Sequence, residues 1–310
     1  MSAKILSLGN AYFEIDSLHY PIDHIQINHE TSGGMYEVYP GGSALNFIRL
    51  CKKLGFETSF IGKTGNDLTG EAVGKMIKDE GIQFYPIISS SVQTNLALNF
   101  VSDSGDQYMF VAGTAAASLE AHELEEHLQN IVSGVDYFYL GGIFKFKNLI
   151  PQLKTLVEFA KEKGVKVVLD HNRITNAITD EDKAKMREVI PKVEYYLPSK
   201  DELLELYGAA SLDEAIEMLV KERSGITVIK DAENGAIGIR DGQQIKVAAF
   251  SVPVHNTVGA GDSFNAGFLK GIEDGLEFEK AIRFACATAA LKISKDTLPS
   301  YDDVVDIMNS

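Results

Sequence analysis

The sequence predicts an α/β fold in which helices cover both faces of a mostly parallel sheet. Apolar runs of strand length alternate with amphipathic helical stretches along most of the 310 residues, a pattern typical of doubly wound sheets. Two stretches, at about residues 12–40 and 94–112, show strand-like alternation without intervening helices. We therefore expect a single domain, residues 1–310, in which these stretches form a second, smaller sheet.

The smaller sheet is interpreted as a lid over the ligand site. In open α/β sheets the ligand binds beyond the carboxyl ends of the strands, and segments that close over this edge exclude water from the reaction. The alternative interpretation is a pair of long surface hairpins that have no gating role.

The amino-terminal elements begin with an apolar strand at Lys4–Leu8, which ends before Gly9. A helix is predicted at Ser43–Leu54, because apolar side chains recur at helical spacing and Gly55 offers a carboxyl-terminal stop. The short apolar run Thr58–Ile61 predicts the next strand. The order strand, helix, strand indicates a parallel unit of the main sheet.

The remaining elements continue this alternation to the end of the chain. Ser211 and Glu214 have the spacing of a capping box at the start of a helix. The predicted helices are Leu149–Lys163, a helix from Ser211 to about Arg223, Asp262–Gly271 and Phe278–Ile293, and the predicted strands are Val165–Leu169, Val193–Leu197 and Ile226–Ile229.

The charge and cysteine content exclude several classes of function. Acidic residues outnumber basic ones by 44 to 29, so the formal net charge is −15 and nucleic-acid binding is not expected. Cys51 and Cys286 match no metal-ligand spacing and are expected to be buried thiols. The sequence shows no signal peptide and no run of 18 apolar residues, so we expect a cytoplasmic protein without a membrane span.

The segment Asn256–Phe264 (NTVGAGDSF) is the strongest local signal for chemistry. Small residues precede Asp262 and an amphipathic helix follows it, so the N–H groups of Ala260, Gly261 and Asp262 can face one anion at a positive helix end. A carboxylate beside such a loop can take a proton from a hydroxyl that attacks a phosphoryl group. The alternative is that Asp262 only caps the helix.

This segment resembles the carboxyl-terminal signature of the ribokinase (pfkB) family of carbohydrate kinases, usually Asp-Thr-x-Gly-Ala-Gly-Asp. Further matches follow the family's order along nearly the whole chain. They are Gly41–Asn46 (GGSALN), Gly62–Gly70 (GKTGNDLTG), Asp170–Arg173 (DHNR), Pro198–Glu202 (PSKDE) and Lys230–Gly235 (KDAENG). The resemblance implies a three-layer, ribokinase-like fold and a phosphotransferase that uses ATP and Mg²⁺ on a small-molecule substrate.

The resemblance also implies roles for individual residues. Asp262 matches the catalytic base of the family, and Glu202 matches the acid that organises Mg²⁺ through water. The other implied site residues are Gly259, Ala260 and Gly261 in the anion hole, Gly41, Gly42, Asn46 and Arg173 at the phosphate acceptor, and Asn172, Lys230, Gly235 and Ala287 at ATP.

An acid after the first strand binds substrate hydroxyls in the family, and two acids stand there. The spacing from Gly9 favours Glu14, whereas the residue type favours Asp16, which we prefer. Solvated loop acids are the alternative. Arg173 suits a carboxylate or a phosphate because its guanidinium offers a planar fork, unless it pairs with a neighbouring acid.

Three positions depart from the family's pattern. Asn256 replaces the first Asp of the signature, Ser199 replaces the Asn before Glu202, and Ala232 stands where Gly is common. In many members the first signature Asp and a stretch longer than Ser294–Pro299 help to hold a monovalent cation, so potassium activation is doubtful here.

We expect a kinase of a sugar or sugar acid. The alternatives are a nucleoside kinase of the same fold and a non-catalytic sugar sensor. Exposed edges of the lid sheet favour a homodimer.

Overall fold

The structure is a computed structural model that describes residues 2–18, 35–101, 107–295 and 297–309. The strands are β1 (Lys4–Leu8), β2 (Tyr12–Leu18), β3 (Met35–Gly41), β4 (Glu57–Gly65), β5 (Gln83–Ser89), β6 (Asn95–Val101), β7 (Gln107–Ala112), β8 (Tyr137–Gly141), β9 (Lys166–Asp170), β10 (Tyr195–Tyr196), β11 (Ile226–Lys230), β12 (Ala236–Arg240) and β13 (Gln243–Val247). The helices are α1 (Ser43–Lys53), α2 (Leu68–Asp79), α3 (Ala121–Ile131), α4 (Leu153–Glu162), α5 (Asp180–Val189), α6 (Lys200–Tyr207), α7 (Leu212–Glu222), α8 (Ala260–Glu273), α9 (Phe278–Ser294) and α10 (Tyr301–Asn309).

The central sheet of the described residues follows the order β13-β12-β11-β10-β9-β8-β1-β4-β5. All neighbours from β11 to β5 pair in parallel. The hairpin β12–β13 adds an antiparallel edge. The strand order runs outward from β1 in both directions, as in doubly wound sheets.

Helices cover both faces of the central sheet, which confirms the predicted three-layer arrangement. Helices α1, α2, α8 and α9 share one core, to which Phe47, Phe60 and Phe268 belong. Helices α3 to α7 share the core on the other face, to which Leu124 and Leu203 belong. Because both faces are covered, central strands are apolar on both sides, and β8 is buried at every position.

A separate four-stranded sheet, in the order β3-β2-β6-β7, lies within the two stretches that predict a smaller sheet. Strand β2 pairs antiparallel with β3 and parallel with β6. Glu14, Asp16 and Asn99 lie on one face of this sheet, and all three side chains are buried. The parts of the predicted lid at 19–34 and 102–106 lie outside the described residues.

Most predicted elements are present, with shifted ends. The first strand and the start of α1 are as predicted, and Gly55 takes the left-handed φ of +91° that suits a glycine after a helix. Strand β4 is longer than predicted and continues to Gly65. Helix α4 begins at Leu153 rather than at Leu149, because a 3-10 turn that contains a proline precedes it.

Two local predictions need correction, and several elements were not predicted. Strand β10 contains only two residues of the predicted Val193–Leu197, and the hairpin β12–β13 was not predicted. The capping box of α7 is half formed: Ser211 Oγ accepts the Glu214 N–H at 3.2 Å, whereas the Glu214 carboxylate accepts the N–H of Ala210 at 2.8 Å.

Two further expectations concern burial and the membrane. Cys51 and Cys286 are both free and buried, as predicted. Within the described ranges, no helix is long and apolar enough to cross a membrane.

Candidate active site

The candidate residues meet at the carboxyl-terminal edge of the central sheet. Asp170 ends β9, Lys230 ends β11, and Asp262 lies in the first turn of α8. Asn46 approaches from α1 and donates its Nδ2 to Asp262 Oδ2 at 3.2 Å. Residues that are 216 positions apart in the sequence are therefore joined by one hydrogen bond.

Asp262 is a buried carboxyl whose pKa is raised. Asp262 is only 6% exposed to solvent. Burial, and then the charge of Asp170, raise the pKa of Asp262 to about 7, while the Asn46 hydrogen bond and the Lys230 charge act in the opposite direction. No side-chain hydrogen bond caps α8, so the structure does not favour the alternative in which Asp262 serves only as a cap.

The amino terminus of α8 offers unpaired backbone N–H groups. Gly259 precedes the helix with a φ of +76°, which a glycine adopts without steric cost. The Ala260 N–H is already used, because it donates to the Thr257 carbonyl at 3.2 Å. The N–H groups of Gly261 and Asp262 have no partner among the described residues. The predicted hole of three amides is therefore reduced to two, at the positive end of a helix.

Lys230 belongs to a buried polar network beside this helix end. Its Nζ contacts Asp170 Oδ2 at 2.5 Å and Asn265 Oδ1 at 3.3 Å, and Asn265 Nδ2 donates to Asp170 Oδ2 at 2.6 Å. Burial alone lowers the pKa of Lys230, but the charges of Asp170 and Glu202 outweigh it, so the pKa is raised. A Cβ on Gly261 would lie 3.6 Å from Lys230 Nζ. Lys230 therefore lies beside the anion hole.

Glu202 faces the same network from the first turn of α6. Its Oε2 accepts the Ser199 N–H at 2.8 Å, and Ser199 Oγ accepts the Glu202 N–H at 3.4 Å, which makes a capping box. Ser199 thus caps α6 where the family usually has Asn. The Glu202 charge raises the pKa values of both Lys230 and Asp262, so this carboxylate acts electrostatically on the site.

The paired glycines before α1 lie against the lid and the loop after β1. A Cβ on Gly41 would lie 1.6 Å from Glu14 Oε2, so a larger residue would displace that carboxylate. Gly42 has a φ of +109°, and a Cβ there would lie 2.6 Å from the Asn10 carbonyl oxygen. Both positions require glycine, one for space and one for conformation.

Glu14 and Asp16 form a buried carboxyl pair on β2. They are 3% and 5% exposed, so the solvated-acid alternative is wrong. Asn99 Nδ2 donates to Glu14 Oε1 and to Asp16 Oδ1, each at 2.7 Å, and the Tyr39 hydroxyl donates to Asp16 Oδ2 at 2.6 Å. Burial, and then the Asp16 charge, raise the pKa of Glu14 to about 7. Glu14 lies against Gly41, whereas each Asp16 oxygen already accepts one hydrogen bond, Oδ1 from Asn99 and Oδ2 from Tyr39.

Two cations lie at the loops after β8 and β9. Arg173 is exposed, and Lys145 ends a 3-10 turn that follows Gly142. Partial burial and the nearby Arg173 charge lower the pKa of Lys145. Within the described part of the chain, neither cation has a carboxylate partner. Their positive charges are therefore available to an anionic ligand in a protein of net charge −15.

The residues assigned to ATP are distributed more widely than predicted. Ala287 is fully buried in a cluster with Phe284, Leu291 and Val304, so it cannot contact a nucleotide and that assignment is corrected. Gly235 has a φ of +93° and meets the β13 backbone, because a Cβ there would lie 2.0 Å from the Val247 carbonyl oxygen. Asn172 Oδ1 lies near Gly142, on the side of Asn10 and Ser43.

Sequence reasoning missed several polar residues that the structure places at the site. Asn265 follows Asp262 by three positions and therefore lies on the same face of the helix, which the sequence spacing alone could have predicted. A Cβ on Gly259 would lie 3.8 Å from Lys292 Cε. Only tertiary packing brings these two residues together. The residues missed are Asn10, Asn99, Lys145, Asn265 and Lys292.

Comparison with known proteins identifies similar sequences over nearly the whole chain. Residues 4–298 match the family model for pfkB family carbohydrate kinases. The chain is 25% identical over 320 residues to a 5-dehydro-2-deoxygluconokinase from Lacticaseibacillus casei, covering 97% of this chain and 94% of that protein. It is 24% identical over 326 residues to a protein of the same name from Bacillus subtilis (strain 168), covering 99% and 96% of the two chains.

The fold is also similar to solved structures. A protein from E. coli described as a ribokinase II, in complex with ATP and Mg²⁺, superposes with a TM-score of 0.84. The two sequences are 21% identical, and the match covers 100% of this chain and 99% of the other. At this level of identity the likeness establishes the fold.

Proposed function

Because this chain belongs to the pfkB family of carbohydrate kinases, we propose that Asp262 is the base that takes the proton from the acceptor hydroxyl during ATP-dependent phosphorylation of a sugar or sugar acid. The observation that carries the proposal is the buried Asp262 carboxyl beside two N–H groups of α8 that have no partner among the described residues. A base whose pKa lies near the working pH is suited to this task, and that of Asp262 is about 7.

The backbone at the start of α8 stabilises the charge that develops on the transferred phosphoryl group. The N–H groups of Gly261 and Asp262 point outward from a helix end that carries a partial positive charge. Lys230 adds a full charge beside them, although Asp170 neutralises part of it. Asn46 orients the Asp262 carboxylate through its hydrogen bond.

The residues present fit ATP and Mg²⁺ at this position. Within the described ranges, no group of three His, Cys, Asp or Glu side chains could hold a metal alone. Mg²⁺ would be held mainly by phosphate oxygens and water, and Glu202 would contribute a carboxylate through water. When bound, ATP supplies the phosphoryl group and Mg²⁺ neutralises phosphate charge.

We also propose that activity does not depend on potassium. Asn256 Oδ1 accepts the Val258 N–H at 2.8 Å and so shapes the loop before α8. As a neutral amide, it offers no charge to a monovalent cation.

The acceptor is proposed to lie between the lid and the loops after β1 and β9. Gly41, Gly42 and Asn46 form its floor, and Glu14 and Asp16 accept hydrogen bonds from its hydroxyls. Arg173, together with Lys145, suits a carboxylate on the acceptor. The relatives named as 5-dehydro-2-deoxygluconokinases support a sugar acid ahead of the nucleoside alternative.

The lid is proposed to close over this acceptor and to mediate a homodimer. Residues 1–310 are proposed to form one kinase domain. The outer face of the smaller sheet is apolar and partly exposed, and exposed apolar faces of this kind mark interaction sites. The most exposed large side chains on it are Tyr36, Val38, Tyr108 and Phe110.

Two free, buried thiols are consistent with a reducing compartment such as the cytoplasm.

A coupled assay of ADP release tests the function directly. The acceptors are 5-dehydro-2-deoxygluconate, D-gluconate, D-fructose, D-ribose and adenosine, each with ATP and Mg²⁺. We expect one sugar or sugar acid to be phosphorylated, and Asp262→Asn to lower kcat by roughly 10²–10⁴ with little change in ATP binding. Full turnover by this variant would exclude Asp262 as the base, and no turnover with any acceptor would support the sensor alternative.

A further inference from the structure

His171 is a fully buried histidine whose two ring nitrogens both have partners. It lies in the loop after β9, two residues before the exposed Arg173. Its Nδ1 lies 2.7 Å from the Asn172 carbonyl oxygen, and its Nε2 lies 2.8 Å from the Tyr196 hydroxyl. Buried polar groups are stable in a protein interior when they are paired, so both bonds belong to the way in which this loop is built.

The two partners determine which ring nitrogen of His171 carries a proton. A carbonyl oxygen can only accept a hydrogen bond, so Nδ1 is protonated and donates to Asn172. Burial raises the pKa of Tyr196 well above its ordinary value, so its hydroxyl keeps its proton and donates to Nε2. Tyr196 thus orients the ring from β10, and the ring in turn holds the loop after β9.

The bond from Nδ1 fixes the backbone directly before Arg173. The Asn172 N–H donates to Asp170 Oδ1 at 3.0 Å, and the Asn172 carbonyl accepts from His171. Both polar backbone groups of Asn172 are thus held by side chains, which keep this residue at a left-handed φ of +57°. The Asn172 carbonyl and the Arg173 N–H belong to one planar peptide group, so His171 sets the direction in which the chain enters Arg173.

The same ring contacts the segment that carries the second cation of the site. The rings of His171 and Phe144 meet edge to face with their centroids 5.0 Å apart, and Phe144 directly precedes Lys145. A backbone bond also joins the two loops, since the Gly142 N–H donates to the Asp170 carbonyl at 3.0 Å. His171 therefore lies at the junction of the loops that carry the two cations.

We propose that His171 is a positioning residue that holds Arg173 beside Lys145 and so gives the site its preference for an anionic acceptor. This inference rests on the proposed kinase function, and it concerns the orientation of Arg173 rather than any contact between His171 and the acceptor. A guanidinium that is already oriented loses less conformational freedom when a carboxylate binds, so the affinity is higher. The alternative is that His171 only fills the space between Phe144 and Tyr196.

The test uses two variants of His171 that separate its bonds from its bulk. His171→Leu fills most of the space but removes both bonds, whereas the amide of His171→Asn offers an N–H near the position of Nδ1 and no atom at Nε2. We expect His171→Leu to raise the KM for D-gluconate, or for the best sugar acid of the panel above, roughly tenfold. The KM for ATP, and the KM or inhibition constant of the neutral D-fructose, should be unchanged.

His171→Asn should separate stability from specificity. We expect its melting temperature to fall, because the smaller side chain leaves a cavity and an unpaired Tyr196 hydroxyl. Its KM for the sugar acid should nevertheless stay near the wild-type value, since the donor to the Asn172 carbonyl is kept. A ring that only fills space could not produce this combination.

A second measurement links the effect to Arg173. If His171 acts through this guanidinium, adding His171→Leu to Arg173→Ala should raise the KM for the acid by no more than about a further twofold. The matched control is His122→Leu on α3, where the side chain is 71% exposed. This control should leave all three constants unchanged.

His171→Gln replaces His171→Leu if the latter does not fold, because its amide lies one bond further out and offers no donor at the position of Nδ1. The inference is overturned if the folded variant keeps its KM for the acid, if the constants for D-fructose and ATP rise equally, or if the effects of His171→Leu and Arg173→Ala multiply. A wild-type protein that phosphorylates only neutral sugars would also overturn it and would leave the kinase function intact. Absence of turnover with every acceptor would instead refute the kinase function itself.

Discussion

At the scale of single residues, burial decides which acids can act in chemistry. Asp262 and Glu14 are both nearly inaccessible, and burial is the largest cause that raises the pKa of each to about 7. Their partners differ, since Asp262 faces Asn46 and Lys230 while Glu14 faces Asn99 and Asp16. One carboxyl is placed to accept a proton at the anion hole, and the other is placed under the lid.

The Asn46 hydrogen bond predicts a shift in the pH profile of the reaction. The acceptor kcat/KM should rise with pH through about 7, as Asp262 loses its proton. Asn46 donates to the ionised carboxylate, so Asn46→Leu should move this midpoint upward by roughly one pH unit. The exposed amide Asn130, which donates to the Glu126 carbonyl of its own helix, supplies the control variant Asn130→Leu. An unchanged midpoint in Asn46→Leu would show that this hydrogen bond does not tune the base.

The cation pair predicts a preference for anionic acceptors. Lys145→Ala should raise the KM for a sugar acid about tenfold, because a charge-assisted hydrogen bond is lost, and should leave the KM for a neutral sugar unchanged. Lys154→Ala is the matched control, since Lys154 pairs with Glu188 on the protein surface. Equal effects of Lys145→Ala on acids and neutral sugars would contradict a carboxylate site. Steady-state kinetics with D-gluconate and D-fructose measure the difference.

At the scale of elements, strand pairing holds two acids together that would otherwise repel each other. The parallel pairing of β2 and β6 places Asp16 opposite Asn99, whose amide donates to both carboxyls. The antiparallel pairing of β2 and β3 places Tyr39 opposite Glu14, and its hydroxyl donates to Asp16. Donors from the two neighbouring strands thus offset part of the cost of burying the acids.

This arrangement predicts a particular dependence of stability on pH. The pKa of Glu14 in the folded state, about 7, lies above its ordinary value of 4.5. The unfolded chain therefore binds fewer protons than the folded one, so this carboxyl lowers stability as pH rises from about 4.5 to 7. Glu14→Gln removes this term, on the order of 3 kcal/mol, and should lose less stability than the wild type between pH 5 and pH 8. Urea unfolding at the two pH values measures the difference, with the exposed Glu57→Gln as control.

At the scale of the whole molecule, the sheet edge collects side chains and the lid sheet encloses them. Strands β1, β8, β9 and β11 all end at one edge, so Asn10, Asp170 and Lys230 meet there although they are distant in sequence. The lid contributes its buried acids to the same region. The opposite face of the lid remains apolar, which favours pairing with another copy of the chain.

The lid interface is tested by changing its outer face. Phe110 is 49% exposed on β7, and Phe110→Asp should shift a dimer towards monomer by placing a charge in an apolar interface. Light scattering after gel filtration measures the mass. Val220→Asp on α7 replaces a side chain of similar exposure, 40%, outside the lid and should leave the mass unchanged. A wild-type protein that is monomeric at all concentrations would contradict the dimer.

The sequence by itself determined the α/β class, part of the element order and the family, because periodicity and local motifs are properties of neighbouring residues. The helix after the glycine-rich loop and the glycines at Gly41 and Gly42 were recognisable for this reason. Only the tertiary structure decided which distant side chains touch. It showed that Ala287 is enclosed in the core, that the Ala260 N–H is occupied and that Glu14 contacts Gly41. Such facts depend on strand register and on helix packing across the sheet, which bring together residues whose spacing in the chain carries no signal.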